Sequence, residues 1–136
     1  LRERIKLFDE QNKQDQWPTV LCHNDIYEPN LLICGDNLQL IDWEFAGNSD
    51  IGYDICKLFT MHNPKMEEVD FWLYDYYGRE TTKEEKIHLF ACASMIYYYW
   101  FIWSAYESKH AGKATEYMMG WYDRMNYYIG ETLKNL

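Results

Sequence analysis

Asn30 and Asp42 stand at the two ends of one hairpin signal, and that pairing constrains the fold more than any other feature of the sequence. Leu31-Leu32-Ile33-Cys34 and Leu38-Gln39-Leu40-Ile41 are short apolar runs joined by Gly35-Asp36-Asn37, a turn-forming stretch whose glycine tolerates left-handed backbone. A chain that leaves Asn30 and returns to Asp42 brings together two oxygen-bearing side chains that are distant in sequence. Upstream, the apolar run Val20 to Cys22 delivers the chain to His23-Asn24-Asp25. Pro29 then keeps the next loop out of regular helix or central strand. His23, Asp25, Asn30 and Asp42 therefore sit on a constrained loop and at the base of a hairpin.

The order His23-Asn24-Asp25, four residues, Asn30, then Asp42 resembles the protein-kinase pattern His-Arg-Asp, four residues, Asn, then Asp-Phe-Gly. Phosphoryl transfer requires a carboxylate to orient the attacking hydroxyl and oxygen ligands to hold Mg²⁺ against the ATP phosphates. Ile41-Asp42-Trp43-Glu44 stands in place of Asp-Phe-Gly, and Gly52-Tyr53-Asp54-Ile55 follows. With Trp100 and Trp103, these motifs make the chain similar to the choline/ethanolamine kinase family, within the kinase-like group that includes the aminoglycoside phosphotransferases. The resemblance runs from about Leu21 to about Tyr122.

That resemblance implies a role for each matching position. Asp25 is the expected catalytic base, and Asn30 and Asp42 are the expected Mg²⁺ ligands. Glu44, read as lying on the same side of an extended segment as Asp42, is expected near the first metal or on a second one. His23 is expected to brace the loop, and Asp54 to tie the following helix to the loop backbone.

Trp100 and Trp103, three apart on a helix, share a face with Tyr99. Periodicity alone reads this stripe as core; the resemblance implies that it lines a pocket for a quaternary ammonium group, which aromatic faces recognise. Phe45, Tyr117 and Trp121 are expected in the same pocket. Where eukaryotic family members place a pocket carboxylate, this chain has Met61, and Glu107 is the candidate substitute.

Composition narrows the partners. Hydrophobic residues at 48% and aromatic residues at 18% are those of a packed chain and not a disordered one. A formal charge of −9 disfavours nucleic acid and anionic membranes, which reward clustered Lys and Arg, and suits a small cationic substrate. Cys22, Cys34, Cys56 and Cys92 are far apart without a Cys-x-x-Cys pair, so buried single thiols in a reducing cytoplasm are expected, with neither zinc nor disulfides. Leu89 to Tyr106 carries no charged residue, but its tyrosines and serines favour a buried helix over a membrane span.

The remaining pattern is helical: an amphipathic segment ending near Lys13, a helix from Asp50 or Asp54 to about His62, and one from about Glu67 to Tyr77. Thr82 with Glu85 is a capping-box signature opening a long helix to about Ser108, and a last helix spans about Ala114 to Asn135. Gly47-Asn48-Ser49-Asp50 reads as a loop. The expected architecture is α+β and mostly helical, a single domain over 1–136 equivalent to the C-terminal lobe of a protein-kinase-like fold, with a small hairpin carrying the metal site. No Gly-rich loop or phosphate-binding lysine strand is present, so an N-terminal nucleotide lobe is expected to be missing from this chain.

The function these motifs imply is ATP-dependent phosphorylation of the hydroxyl of choline or a related amino alcohol. The alternatives are an aminoglycoside or other small-molecule phosphotransferase, whose polyamine substrates demand carboxylates more than indoles, and a non-catalytic module that binds a quaternary ammonium ligand or a partner lobe.

Overall fold

Cys22 pairs with Gly47 at the inner end of a two-stranded antiparallel sheet, so everything from His23 to Ala46 leaves and re-enters the fold through one narrow base. The computed structural model describes residues 17–111 and 117–136 together with Glu3, Lys6 and Glu10. It resolves into two compact units, Trp17–Glu80 and a helical unit containing Thr81–Leu136. Among the described residues the architecture is mostly helical with two small antiparallel sheets.

In the first unit, β1 (Thr19–Cys22) pairs with β4 (Gly47–Asp50) from Thr19↔Asp50 to Cys22↔Gly47. Gly47–Asp50 is thus a strand where composition reads as loop. Its partner is distant in sequence, and no alternation of apolar residues marks it. Nested inside this closure, β2 (Leu31–Cys34) and β3 (Asn37–Leu40) form the expected hairpin. Cys34 pairs with Asn37, so the turn is only Gly35-Asp36. Gly35 has φ 62° and Asp36 does not enter the left-handed region, the pattern of a type II′ turn. Ile33 and Leu38 are 82% and 67% exposed, so the backbone ladder and not burial holds the hairpin.

Helix α1 (Ile51–His62) starts where Asp50 Oδ1 accepts from Gly52 N at 2.8 Å, and ends at left-handed Asn63 just before Pro64. Helix α2 (Met66–Tyr77) stops at Gly78, whose φ of 65° favours a residue without Cβ. Ile55, Cys56 and Phe59 of α1 and Val69 and Leu73 of α2 are buried, with the Phe59 and Trp72 rings 6.3 Å apart.

In the second unit, the capping box is present: Thr82 N donates to Glu85 Oε2 at 2.8 Å and Glu85 N to Thr82 Oγ1 at 3.2 Å. It opens α3 (Lys83–Ala111), which pairs with α4 (Met118–Asn135). Tyr97 stacks on Tyr128 at 5.6 Å, whereas Trp100 and Phe101, later on α3, meet Trp121 and Tyr122, earlier on α4, so the helices run antiparallel. Leu89, Phe90, Tyr97, Met125, Tyr128 and Ile129 are buried, and no described helix is long and apolar enough to cross a membrane.

The expected first helix falls largely outside the described residues, although Lys6 and Glu10 form an ion pair one turn apart at 3.7 Å. The start of the last helix at Ala114 also lies outside them. All four cysteines are free thiols; Cys34 is exposed, contrary to the expectation of burial, because most of the hairpin it closes is exposed on both strands. Cys92 has a histidine neighbour one turn earlier, His88, with Sγ 3.6 Å from Nε2.

Leu73→Ala removes a fully buried side chain and is expected to cost about 2–5 kcal/mol. Thr82→Ala removes one cap and is expected to cost about 1 kcal/mol. Urea unfolding of the two variants checks this order, and equal midpoints would contradict it.

Candidate active site

The loop after β1 is held from behind by Asp54. Its Oδ2 accepts the backbone N–H of His23 at 2.7 Å and its Oδ1 that of Asn24 at 2.8 Å. Asp54 is the fourth residue of α1, not its cap, and is 7% exposed. Two charge-assisted bonds to a nearly buried carboxylate are of the strong kind. They anchor the loop to the helix.

His23 passes that anchor on to both neighbouring segments. Its Nδ1 accepts the backbone N–H of Asp25 at 3.2 Å, which leaves Nε2 as the protonated nitrogen, and Nε2 donates to the Ile41 carbonyl at 2.8 Å. The ring also meets Trp43 edge-on at 4.8 Å and is buried. One imidazole thus braces the residue before Asp42 and the backbone of Asp25.

Asn30 is 4% exposed and gives its amide N–H to the Asp25 carbonyl at 3.0 Å, while its own carbonyl accepts from Ile41 N at 3.0 Å. Its side-chain Oδ1 accepts no hydrogen bond from the described residues. The Asp42 carboxylate accepts none either, and Asp42 has φ 66° and ψ 61°, left-handed backbone that Asp tolerates better than most residues. The hairpin register and the Ile41–Asn30 bond put Asn30 and Asp42 at the same end of the hairpin. Two hard oxygen donors uncommitted at one end of the hairpin are of the kind Mg²⁺ takes from a protein, so the chemistry of this donor set suits the expected metal.

Glu44 departs from expectation in geometry. Left-handed Asp42 opens a short 3₁₀ turn, Trp43–Phe45, so positions 42 and 44 do not share one side of an extended segment. Trp43 turns back to donate Nε1–H to the Leu40 carbonyl at 2.8 Å, which ends the strand at Leu40. Phe45 is 60% exposed, and its carbonyl accepts from Asn24 Nδ2 at 2.9 Å.

Sequence reasoning missed two residues here. Asn24, at φ 65°, spans from the Asp54 anchor to the 3₁₀ turn; Asn tolerates left-handed backbone, which is the local signal for it. Lys57 lies 3.4 Å from Asp25 Oδ1, and nothing local in the sequence marks it. Burial pushes the Cys22 thiol above its ordinary value, with the Asp54 carboxylate adding to the effect, so Cys22 stays protonated and is no nucleophile.

In the helical unit, Trp100 meets Trp103 edge-on at 5.7 Å and Trp121 at 5.8 Å, Tyr117 stands 6.1 Å from Trp121, and Tyr99 is 5.5 Å from Trp100. The structure therefore brings together five of the six expected pocket aromatics. They are not core: Trp103 is 40% and Tyr99 63% exposed, and the buried packing lies mostly earlier on α3, from Leu89 to Tyr97, and later on α4, from Met125 to Thr132.

A family model described as choline/ethanolamine kinase matches residues 1–93. The chain belongs to the choline/ethanolamine kinase family. Protein LicA of Haemophilus influenzae is 30% identical over 124 residues, covering 82% of this chain and 43% of LicA. A choline/ethanolamine kinase of Mus musculus is 32% identical over 110 residues, 65% of this chain and 25% of the mouse protein.

Among solved structures, a family protein from Mesorhizobium loti superposes with a TM-score of 0.80 at 18% identity, over 98% of this chain and 47% of the other. LicA in complex with AMP superposes at 0.76 and 18% identity, over 96% of this chain and 46% of the other. The choline/ethanolamine kinase fold is therefore the fold of this chain, which spans less than half the length of these relatives.

Asp54→Ala strands two N–H groups and is expected to destabilise the chain by about 3 kcal/mol. Amide hydrogen exchange followed by NMR should show His23 and Asn24 exchanging faster in the variant. Unchanged protection at both would remove Asp54 as the anchor.

Proposed function

We propose that this chain is the catalytic and substrate-binding part of an ATP-dependent kinase that phosphorylates the hydroxyl of choline or a related amino alcohol. The observation that carries the proposal is the Asp25, Asn30 and Asp42 constellation, with backbone and imidazole bonds holding it and its oxygen ligands left uncommitted. Family membership and the AMP complex of a structural neighbour support a nucleotide co-substrate.

Asp25 acts as the base. Its backbone N–H is fixed by His23 and its carbonyl by Asn30, so the carboxylate is presented from a rigid loop. It accepts the hydroxyl proton of the substrate and aligns the oxygen with the γ-phosphorus; the P–O bond to the substrate forms as the bond to the ADP leaving group breaks. Positioning supplies most of the rate in such a loose transition state. Asn30 Oδ1 and the Asp42 carboxylate would hold Mg²⁺, which when bound neutralises charge on the phosphates. Glu44 is a candidate for an outer or second metal contact.

The Trp100, Trp103, Trp121, Tyr117 and Tyr99 rings take the cationic head group of the substrate. A quaternary ammonium cannot donate hydrogen bonds, and partly exposed indole faces suit it. Phe45, exposed in the Trp17–Glu80 unit, is proposed separately as an aromatic substrate contact. A site for polyamine sugars would instead need several carboxylates, and none of these ring partners is one.

In the intact protein, Asp25→Asn is expected to lower phosphocholine formation about 100-fold or more without unfolding the chain. Trp103→Ala should raise KM for choline about 2- to 30-fold with a smaller change in kcat. A substrate panel of choline, ethanolamine and an aminoglycoside decides the class. Phosphorylation of the aminoglycoside alone would overturn the amino-alcohol assignment.

A further inference from the structure

Helix α1 presents two charged residues to the catalytic loop, not one. Asp54 holds the loop backbone, and Lys57, one turn later on the same face, places Nζ 3.4 Å from Asp25 Oδ1. The pair is sheltered: the side chains of Lys57 and Asp25 are 13% and 30% exposed. At that burial a charge pair is screened far less than one on the open surface.

The contact is selective between the two carboxylate oxygens. Lys57 engages Oδ1, and no hydrogen bond from the described residues occupies Oδ2. Backbone bonds through His23 and Asn30 fix where Asp25 starts, but they do not fix rotation about its Cβ–Cγ bond, which is a broad torsion with little intrinsic preference. An ammonium group on one oxygen supplies that missing restraint and leaves the other oxygen for a hydroxyl. Lysine suits the task because its compact charge and three donors bind one oxygen without the two-oxygen grip typical of arginine.

We infer that Lys57 is a positioning residue for phosphoryl transfer, holding the Asp25 carboxylate through Oδ1 so that Oδ2 accepts the substrate hydroxyl. The inference rests on Asp25 being the base. It adds that α1 sets both the place of the loop, through Asp54, and the rotation of the reacting carboxylate, through Lys57.

The test is a double-mutant cycle in the intact protein, using choline and ethanolamine as acceptors and ATP with Mg²⁺. Lys57→Met keeps the length of the stem and removes the charge. It is expected to lower kcat about 10- to 100-fold, the scale of a small misplacement of a reacting group, with KM for the acceptor nearly unchanged. Lys57→Arg should recover part of that loss. In an Asp25→Asn background the same Lys57→Met change should have no further effect on the residual rate, because the lysine acts through the carboxylate.

A fold-wide effect is told apart by urea unfolding of each variant: a kcat loss that tracks lost stability and is regained on cooling overturns the positioning role. So does wild-type kcat in Lys57→Met, or a full additive loss in the Asp25→Asn background. If Asp25→Asn itself keeps wild-type activity, the base assignment falls, and the role of Lys57 falls with it.

Discussion

The Asp54 carboxylate is the interaction on which the rest of the site depends. It sits on a helix, accepts two consecutive backbone N–H groups from a loop that has no regular structure, and is nearly buried while doing so. A buried carboxylate in that place is tolerable only because both oxygens are satisfied, and the two N–H groups are tolerable only because the carboxylate is there. His23 is then held at its backbone, which leaves its ring free to span from Asp25 to Ile41. Asp25 and Asp42 take their positions from one imidazole, and that imidazole takes its position from Asp54.

Three left-handed residues show where the backbone gives way to these demands. Asn24 and Asp42 both take positive φ inside the site, and Asn63 takes it at the end of α1. Each belongs to the residue types that bear such backbone at least cost. At Asp42 the reversal ends the strand, starts the 3₁₀ turn and leaves the carboxylate without a hydrogen bond from the described residues. Backbone strain and an uncommitted acidic group at one residue form a combination common at ligand sites.

Local signals were readable from the sequence, and long-range ones were not. The hairpin, the Thr82–Glu85 box, the Asn63-Pro64 stop and the Gly78 stop rest on turn and cap chemistry within a few residues, and each stands where its residues indicate. The pairing of β1 with β4 escaped because Gly47-Asn48-Ser49-Asp50 looks like a turn unless its partner is known. The side of the chain on which Glu44 lies escaped because one left-handed residue resets the alternation on which the expectation was based. The Trp100 stripe looked like core by spacing; burial is a property of what surrounds a helix, which spacing does not record. Resemblance to a family carried His23, Asp25, Asn30 and Asp42, but Lys57 belongs to no local motif.

The closure of His23–Ala46 between Cys22 and Gly47 also bears on the order of assembly. The hairpin inside it needs only neighbours, so it can form early. The loop after β1 needs Asp54, 31 residues beyond His23, and α1 must be wound before that carboxylate is in place. Contacts of such separation come late, after the entropy of closing the intervening chain has been met. The order of the loop after β1 is therefore among the last properties this unit acquires as it folds, and the first it surrenders when the end of α1 nearest the loop frays.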